Sequence, residues 1–210
     1  MLEHDYLKYW KMENESIIVD LGATYGDFGK AILPDLKSTK SKLFCVEPAP
    51  FAVRELCNWV QGELYKNIVV LSTGVGTETT HATFTECNAG VLNHMESIPQ
   101  NFPNTEVSKF IAPTIDLVTL LSIVSDKDNL GIDFIKCDIE GAELEFFVDA
   151  VNNDLYDFVD HMAIASYHIV DGEPTWKTLL PYFKNLGMEV IHEFVEGDAF
   201  SDMLYVRWPR

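Results

Sequence analysis

Three short apolar runs separated by helix-like segments limit what this chain can fold into. Ser16–Leu21 (SIIVDL) is compact, apolar and stopped by a glycine, so it reads as a buried strand. Gly26–Leu33 has helical character and is expected to stop at Pro34. Lys42–Glu47 (KLFCVE) gives a second buried strand, followed after Pro48, Ala49 and Pro50 by the helix Phe51–Val60. Asn67–Leu71 (NIVVL) is the third strand. Strand, helix, strand, helix, strand in this order predicts a parallel sheet with crossover helices.

The alternation resumes later. Ala112–Ile115 leads into a helix over Asp116–Val124, Ile132–Cys137 is a fourth core strand and Gly141–Ala150 a helix. Phe158–Ser166 is a fifth strand and Thr175–Leu186 a helix ended by Gly187. Met188–Phe194 and Asp202–Trp208, joined by a turn, form a terminal antiparallel pair. Two segments stand apart. Residues 3–12 read as a short aromatic-rich helix whose Tyr6, Tyr9 and Trp10 cap the core, with a homodimer contact or an acceptor lid as the alternatives. Residues 77–110, beginning with a half-exposed strand at 76–85, read as an insertion over the sheet edge. The expected organisation is one α/β domain over 1–210, with 1–15 as a cap and 77–110 above the cleft.

Composition removes several functional classes. With 15 Lys+Arg against 33 Asp+Glu, the formal charge of -18 argues against a nucleic-acid partner, whose phosphates must be neutralised. No apolar run approaches the roughly 20 residues of a membrane span. The opening residues lack the basic-then-apolar pattern of a secretory leader. Cys45, Cys57, Cys87 and Cys137 are far apart without a C-x-x-C pair, so a reducing, cytoplasmic setting is expected and a cysteine zinc site is not.

The chemistry concentrates at strand ends. Asp20, Gly22, Ala23, Thr24, Tyr25 and Gly26 lie where the first strand turns into a helix, at the sheet edge where open α/β folds bind ligands. Asp20 is expected to accept hydrogen bonds from the loop backbone, and Gly22 to let a ligand approach. Glu47, with Pro48, ends the second strand, where a carboxylate can accept both hydroxyls of a ribose. Gly74 and Val75 follow the third strand. The dinucleotide pattern G-x-G-x-x-G is absent, because the glycines stand at 22, 26 and 29, and no P-loop occurs. An adenosyl ligand without phosphates fits, S-adenosylmethionine being the common one; a nicotinamide oxidoreductase is a third-ranked reading. The run Asp133–Glu143 (DFIKCDIEGAE) then places Asp138 and Glu140 at the exit of the fourth strand, while Glu140 and Glu143 also suit a helix N-terminus.

The segments VDLGATYGDFG, FCVEP, PTIDLVTLL, IDFIKCDIEGAELE and SYH, spanning roughly residues 17–168, resemble the FkbM family of methyltransferases. The resemblance implies a Rossmann-like, mostly parallel seven-stranded sheet with helices on both faces and a C-terminal antiparallel pair. It also implies S-adenosylmethionine as cofactor and methylation of a hydroxyl on a sugar or small natural product. Two positions depart from the family pattern. Thr24 stands where the family usually has Asn, and Ser166 where it usually has Glu. The second departure supports an alternative reading, a non-catalytic adenosyl-binding or interaction protein.

An alcohol needs help to attack a sulfonium methyl group. His168, at the end of the fifth strand, is the best base candidate because an imidazole ordinarily titrates near 6.5; His94 is a distant second. Asp138 and Glu140 complete the expected catalytic set. The preferred reading has no metal, with Asp138, Glu140 and His168 as the set that a divalent cation would use. Phe84, Asn88, Asn93, His94 and Phe102 of the insertion are expected to select the acceptor.

Overall fold

Apolar side chains on both faces fix the central strands. The computed structural model describes residues 5–63, 66–87, 94–95, 106–125, 131–148 and 157–209. Strand β1 (Ile17–Leu21) is buried at all five positions, as a strand covered on both sides must be. It leads through the glycine turn into α1 (Asp27–Ser38), β2 (Lys42–Val46), α2 (Pro50–Glu63) and β3 (Ile68–Leu71). Then follow β4 (Gly74–Val75), β5 (Thr80–Cys87), β6 (His94–Met95), β7 (Glu106–Ile115), α3 (Leu117–Val124), β8 (Ile132–Cys137) and α4 (Glu143–Phe147). The chain continues with β9 (Val159–Ala165), the short pair β10 (Ile169–Val170) and β11 (Glu173–Pro174), α5 (Trp176–Asn185), β12 (Glu189–Glu193) and β13 (Met203–Arg207).

Seven strands form one sheet in the order β12-β13-β9-β8-β1-β2-β3. All neighbours are parallel except around β13, which runs against both β9 and β12. The strand period of two divides the core. Ile17, Val19 and Leu21 join Leu117, Leu120, Phe146, Leu179 and Phe183 from α3, α4 and α5 on one face. Ile18 and Leu43 join Phe28, Ile32, Leu36 and Leu56 from α1 and α2 on the other. The expected α/β sheet, mostly parallel with a terminal antiparallel pair and flanked by helices, is what forms. Among the described residues no helix is long and apolar enough to cross a membrane.

Several boundaries differ from the sequence reading. Helix α1 does not stop at Pro34 but carries it inside and runs to Ser38. Proline costs one helical hydrogen bond, yet the fully buried Leu36 reaches the core only if the helix continues past it. The N-terminal segment is a turn rather than a helix, closed by Lys8 N–H to Asp5 O and Trp10 N–H to Leu7 O. Its aromatics do cover the core: Tyr6 is buried and the Trp10 ring stacks on Phe134 at 4.6 Å, while Tyr9 stays largely exposed. Helix α4 is five residues long, shorter than expected.

Within 77–110 the strand continues further than its composition suggested. β5 pairs antiparallel with β7, and these join β4 and β6 in a four-stranded sheet ordered β4-β7-β5-β6. Phe84 of this sheet packs with Ala112 and Ala142, flanked by Ile139 and Val170, so the second sheet rests on the loop after β8. Asn88, Asn93 and Phe102 lie outside the described residues, and of His94 only the backbone of β6 is described.

Candidate functional site

The tips of β1, β2 and β8 are locked together by backbone contacts before any side chain contributes. Gly22 N–H and Ala23 N–H both donate to Val46 O, and Asp138 N–H donates to Leu21 O. Gly22 has φ 73°, and a Cβ on it would sit 1.8 Å from the Asp138 carbonyl oxygen. Only glycine fits there, because the neighbouring strand tip fills the space. Gly26, φ 82°, serves a different contact: a Cβ would reach Leu56 and Trp59 of α2 at 2.9 Å. Thr24 also has positive φ, 47°, a conformation that strains a β-branched residue.

Glu47 carries the clamp between the two loops. Its carboxylate accepts from Thr24 N–H at 3.0 Å and from Ala49 N–H at 2.9 Å, and the residue is 4% exposed. A carboxylate has about four lone-pair positions, so two remain for ligand hydroxyls. Burial pushes its pKa up, opposed by the two N–H donors. Asp20 behaves differently from the expectation. It is wholly buried and faces not the loop backbone but Lys136 Nζ at 3.0 Å. Lys136 in turn donates to Gly22 O at 2.9 Å and Leu21 O at 3.3 Å. Burial works to lower the Lys136 pKa, but Asp20 and Asp138 hold it above its ordinary value, so a buried cation braces the glycine turn from behind. Gly74 and Val75 are buried at the start of the second sheet, and a Cβ on Gly74 would meet Phe84 at 2.7 Å.

Beside this turn the structure assembles Asp138, Glu140 and His168. His168 is 1% exposed, in the loop after β9, which is pinned to α5 by Thr175 N–H donating to His168 O. Its Nε2 stands 3.5 Å from Asp138 Oδ1 and 3.7 Å from Glu140 Oε2. Its Nδ1 stands 2.8 Å from Glu143 Oε1, a hydrogen-bond separation without good alignment, so the contact acts mainly as a charge pair. Glu143 Oε1 also accepts from Ile139 N–H. Burial works to lower the His168 pKa, but Glu143, then Glu140 and Asp138, outweigh it and hold it at about 9. The ordinary imidazole value near 6.5 therefore does not apply, and the ring is charged at neutral pH. Burial, helped by Asp138 and Glu143, pushes Glu140 up to about 7 against the pull of His168. Glu140 sits at φ 56° just before Gly141 at φ 95°, the bend that turns its side chain back beside His168.

Three side chains around the site were not singled out from sequence for these positions. By sequence Glu143 suits only a helix-terminus charge, although its place in D-x-E-G-x-E marks it. Tyr6 donates to Asp138 Oδ2 at 2.9 Å across 132 residues of chain, and no local pattern signals that. Lys136 is hidden inside an apolar strand. Ser166 is fully buried, its hydroxyl and N–H both donating to Asp202 O, so it ties the site loop to the β13 edge.

Comparison with known proteins bears on the fold and the family. No curated protein matches the sequence significantly. Among solved structures, the methyltransferase FkbM from Methylobacillus flagellatus KT superposes with a TM-score of 0.62 at 17% identity, covering 93% of this chain. The chain spans 44% of that protein's length. SMU.1697c of Streptococcus mutans, solved in complex with S-adenosylhomocysteine, gives 0.54 at 11% identity, covering 93% of this chain and 90% of its own. Aeropyrum pernix fibrillarin, solved with natively bound S-adenosylmethionine, gives 0.53 at 14%, covering 92% and 67%. A family model, the methyltransferase FkbM domain, matches residues 20–189. With most of its length inside that match, the chain belongs to the FkbM methyltransferase family.

Proposed function

We propose that this chain transfers the methyl group of S-adenosylmethionine to a hydroxyl of a small molecule, a sugar or natural product. The observation that carries the reading is the convergence at one sheet edge of the glycine turn, Glu47 and Asp138. Gly22 to Gly26 give the nucleoside a close backbone surface, Glu47 keeps lone pairs for the ribose, and Asp138 and Glu140 supply negative charge beside the sulfonium. The S. mutans and A. pernix proteins hold S-adenosylhomocysteine and S-adenosylmethionine on this fold, which supports the same cofactor here.

In the reaction the acceptor oxygen forms a bond to the methyl carbon as the carbon–sulfur bond breaks. That electron pair goes to sulfur, neutralising the sulfonium, and the hydroxyl proton passes to Glu140, whose pKa of about 7 lets it accept a proton beside the charged His168. Alignment of the two reactants supplies much of the acceleration. A cavity of about 640 Å³, of small-molecule size, opens nearby, lined by Asp5, Lys8, His192, Phe194, Phe200 and Ser201 among others. The Tyr167 ring links it to the site, packing on His168 at 4.4 Å and on Phe200 at 5.8 Å. The second sheet, through Phe84 on Ile139 and Ala142, forms the wall over the cleft within the same domain.

Titration calorimetry with S-adenosylhomocysteine tests the reading: one site per chain is expected, and no heat with no melting shift rejects it. Ser166, in place of the family's usual Glu, favours a second reading, a cofactor-binding protein without catalysis. Binding without methylation of any compound in a broad sugar and phenol panel selects that one.

A further inference from the structure

We infer that Asp138, Glu140 and His168 form a binding site for one hard divalent cation of the magnesium or manganese class. One ligand atom from each lies within 4.8 Å of the others. The spacing itself is the first argument. Nε2 of His168 is 3.5 Å from one carboxylate and 3.7 Å from the other, too far for hydrogen bonds and too near for an intervening water. Around an ion with bonds near 2.1 Å, adjacent octahedral ligands stand about 3 Å apart and opposite ones about 4.2 Å. The two separations from Nε2 both fall within that range.

The second argument is His168 itself. It is 1% exposed, and Nε2 has no hydrogen-bond partner although it points at two carboxylates. Its other nitrogen faces Glu143 at 2.8 Å. An ion displaces the proton on Nε2; the proton left on Nδ1 then faces that carboxylate and the Nε2 lone pair is directed between Asp138 and Glu140, the carboxylate–imidazole arrangement that orients metal-binding histidines. Asp138 is oriented in the same way, since Tyr6 donates to Oδ2 and leaves Oδ1 on the His168 side. Each of these two ligands thus has a supporting partner on the side away from the ion.

Two carboxylates and one imidazole suit Mn²⁺ or Mg²⁺ better than zinc, which favours cysteine and histidine sets. Such an ion would keep its remaining positions for water or for an acceptor hydroxyl, and would make that hydroxyl easier to deprotonate. This role rests on the methyltransferase reading; the existence of the site does not.

The test is a Mn²⁺ titration of the chelator-treated chain, followed by the loss of the free-ion electron paramagnetic resonance signal. One Mn²⁺ per chain is expected. Asp138→Asn and Glu140→Gln should each weaken it at least roughly tenfold, and Glu143→Gln, away from the ion, about 10- to 100-fold. Pulsed spectra should show nitrogen coupling that His168→Gln abolishes and His192→Ala retains. Circular dichroism of each variant shows whether it is folded; Glu140→Gln, at a partly exposed position, serves if His168→Gln is not. Absence of binding at millimolar Mn²⁺, or binding unchanged in both Asp138→Asn and Glu140→Gln, overturns the site. S-adenosylhomocysteine is titrated on the same sample. Nucleoside binding without Mn²⁺ binding rejects the cation alone, whereas Mn²⁺ binding without nucleoside binding rejects the methyltransferase reading alone.

Discussion

Glu143 sets one carboxylate oxygen 2.8 Å from Nδ1 of His168, with both side chains closed off from solvent. A buried ion pair is stabilising only while both members are charged, so this contact ties the fold to pH. The folded pKa of His168 is raised, from an ordinary 6.5 to about 9. Between these values the native state binds more protons than the unfolded chain, and stability falls as pH rises. The contribution is complete below about 6.5 and gone above about 9. Its ceiling is roughly 3 kcal/mol, the free-energy equivalent of moving the pKa from 6.5 to about 9. Glu140, raised from 4.5 to about 7, adds a loss of the same sign at lower pH. Urea unfolding with chelator present, wild type minus His168→Gln, should show a difference that shrinks from pH 6.5 to 9. A flat or growing difference contradicts the pairing.

Glu47 connects stability with binding. Its two backbone contacts mean that Glu47→Ala should cost about 1–3 kcal/mol of stability, because Thr24 N–H and Ala49 N–H lose their acceptor. Loss of the ribose contacts should weaken S-adenosylhomocysteine binding about 10- to 100-fold as well. Calorimetry and thermal melts on the same variant separate the two effects. Unchanged affinity at a lowered melting temperature leaves Glu47 as a loop clamp and nothing more.

The comparison of sequence with structure follows the range of each interaction. Strands such as Ile17–Leu21 and Ile132–Cys137 are legible because burial on two faces writes a short, mainly apolar run, interrupted by Asp20 in the first and by Asp133 and Lys136 in the second. The D-x-E-G-x-E spacing is legible because strand exit, bend and helix start occur within a few residues. The passage of α1 through Pro34 is not, since it depends on what Leu36 meets in the core. Nor is the burial of Glu143, which depends on a histidine 25 positions later. The pairing of β5 with β7 escapes for the same reason: its paired residues lie 19 to 34 positions apart, from Cys87 with Glu106 to Thr80 with Thr114.

Thr24 and Gly22 test the turn in opposite directions. Thr24 holds φ 47°, where a β-branched residue is strained by about 1–3 kcal/mol. Thr24→Asn places a residue that tolerates this conformation and should stabilise the chain by about 0.5–1 kcal/mol. Gly22→Ala puts a methyl group 1.8 Å from the Asp138 carbonyl oxygen and should destabilise by about 2 kcal/mol or more. Chemical denaturation reads both. A neutral Gly22→Ala would show that the β1 and β8 tips are not held at this separation.

Tyr6 reaches the site from the N-terminal turn, 132 residues before Asp138 in the chain. Its hydroxyl donates to Asp138 Oδ2 while its ring lies against Lys136, with Nζ 5.6 Å from the centroid, and is buried with Phe28. Burial, with Asp138 beside it, pushes the phenol pKa well up, so the hydroxyl keeps its proton and remains a donor. Tyr6→Phe retains the ring and removes only that donor, which should cost about 1–3 kcal/mol. Asp138→Asn removes the charge at the other end. If the two groups act through their hydrogen bond, the double variant should cost less than the sum of the single ones by about 1–2 kcal/mol in a urea-unfolding cycle. Additivity within about 0.5 kcal/mol would mean that the N-terminal turn covers the core without orienting Asp138.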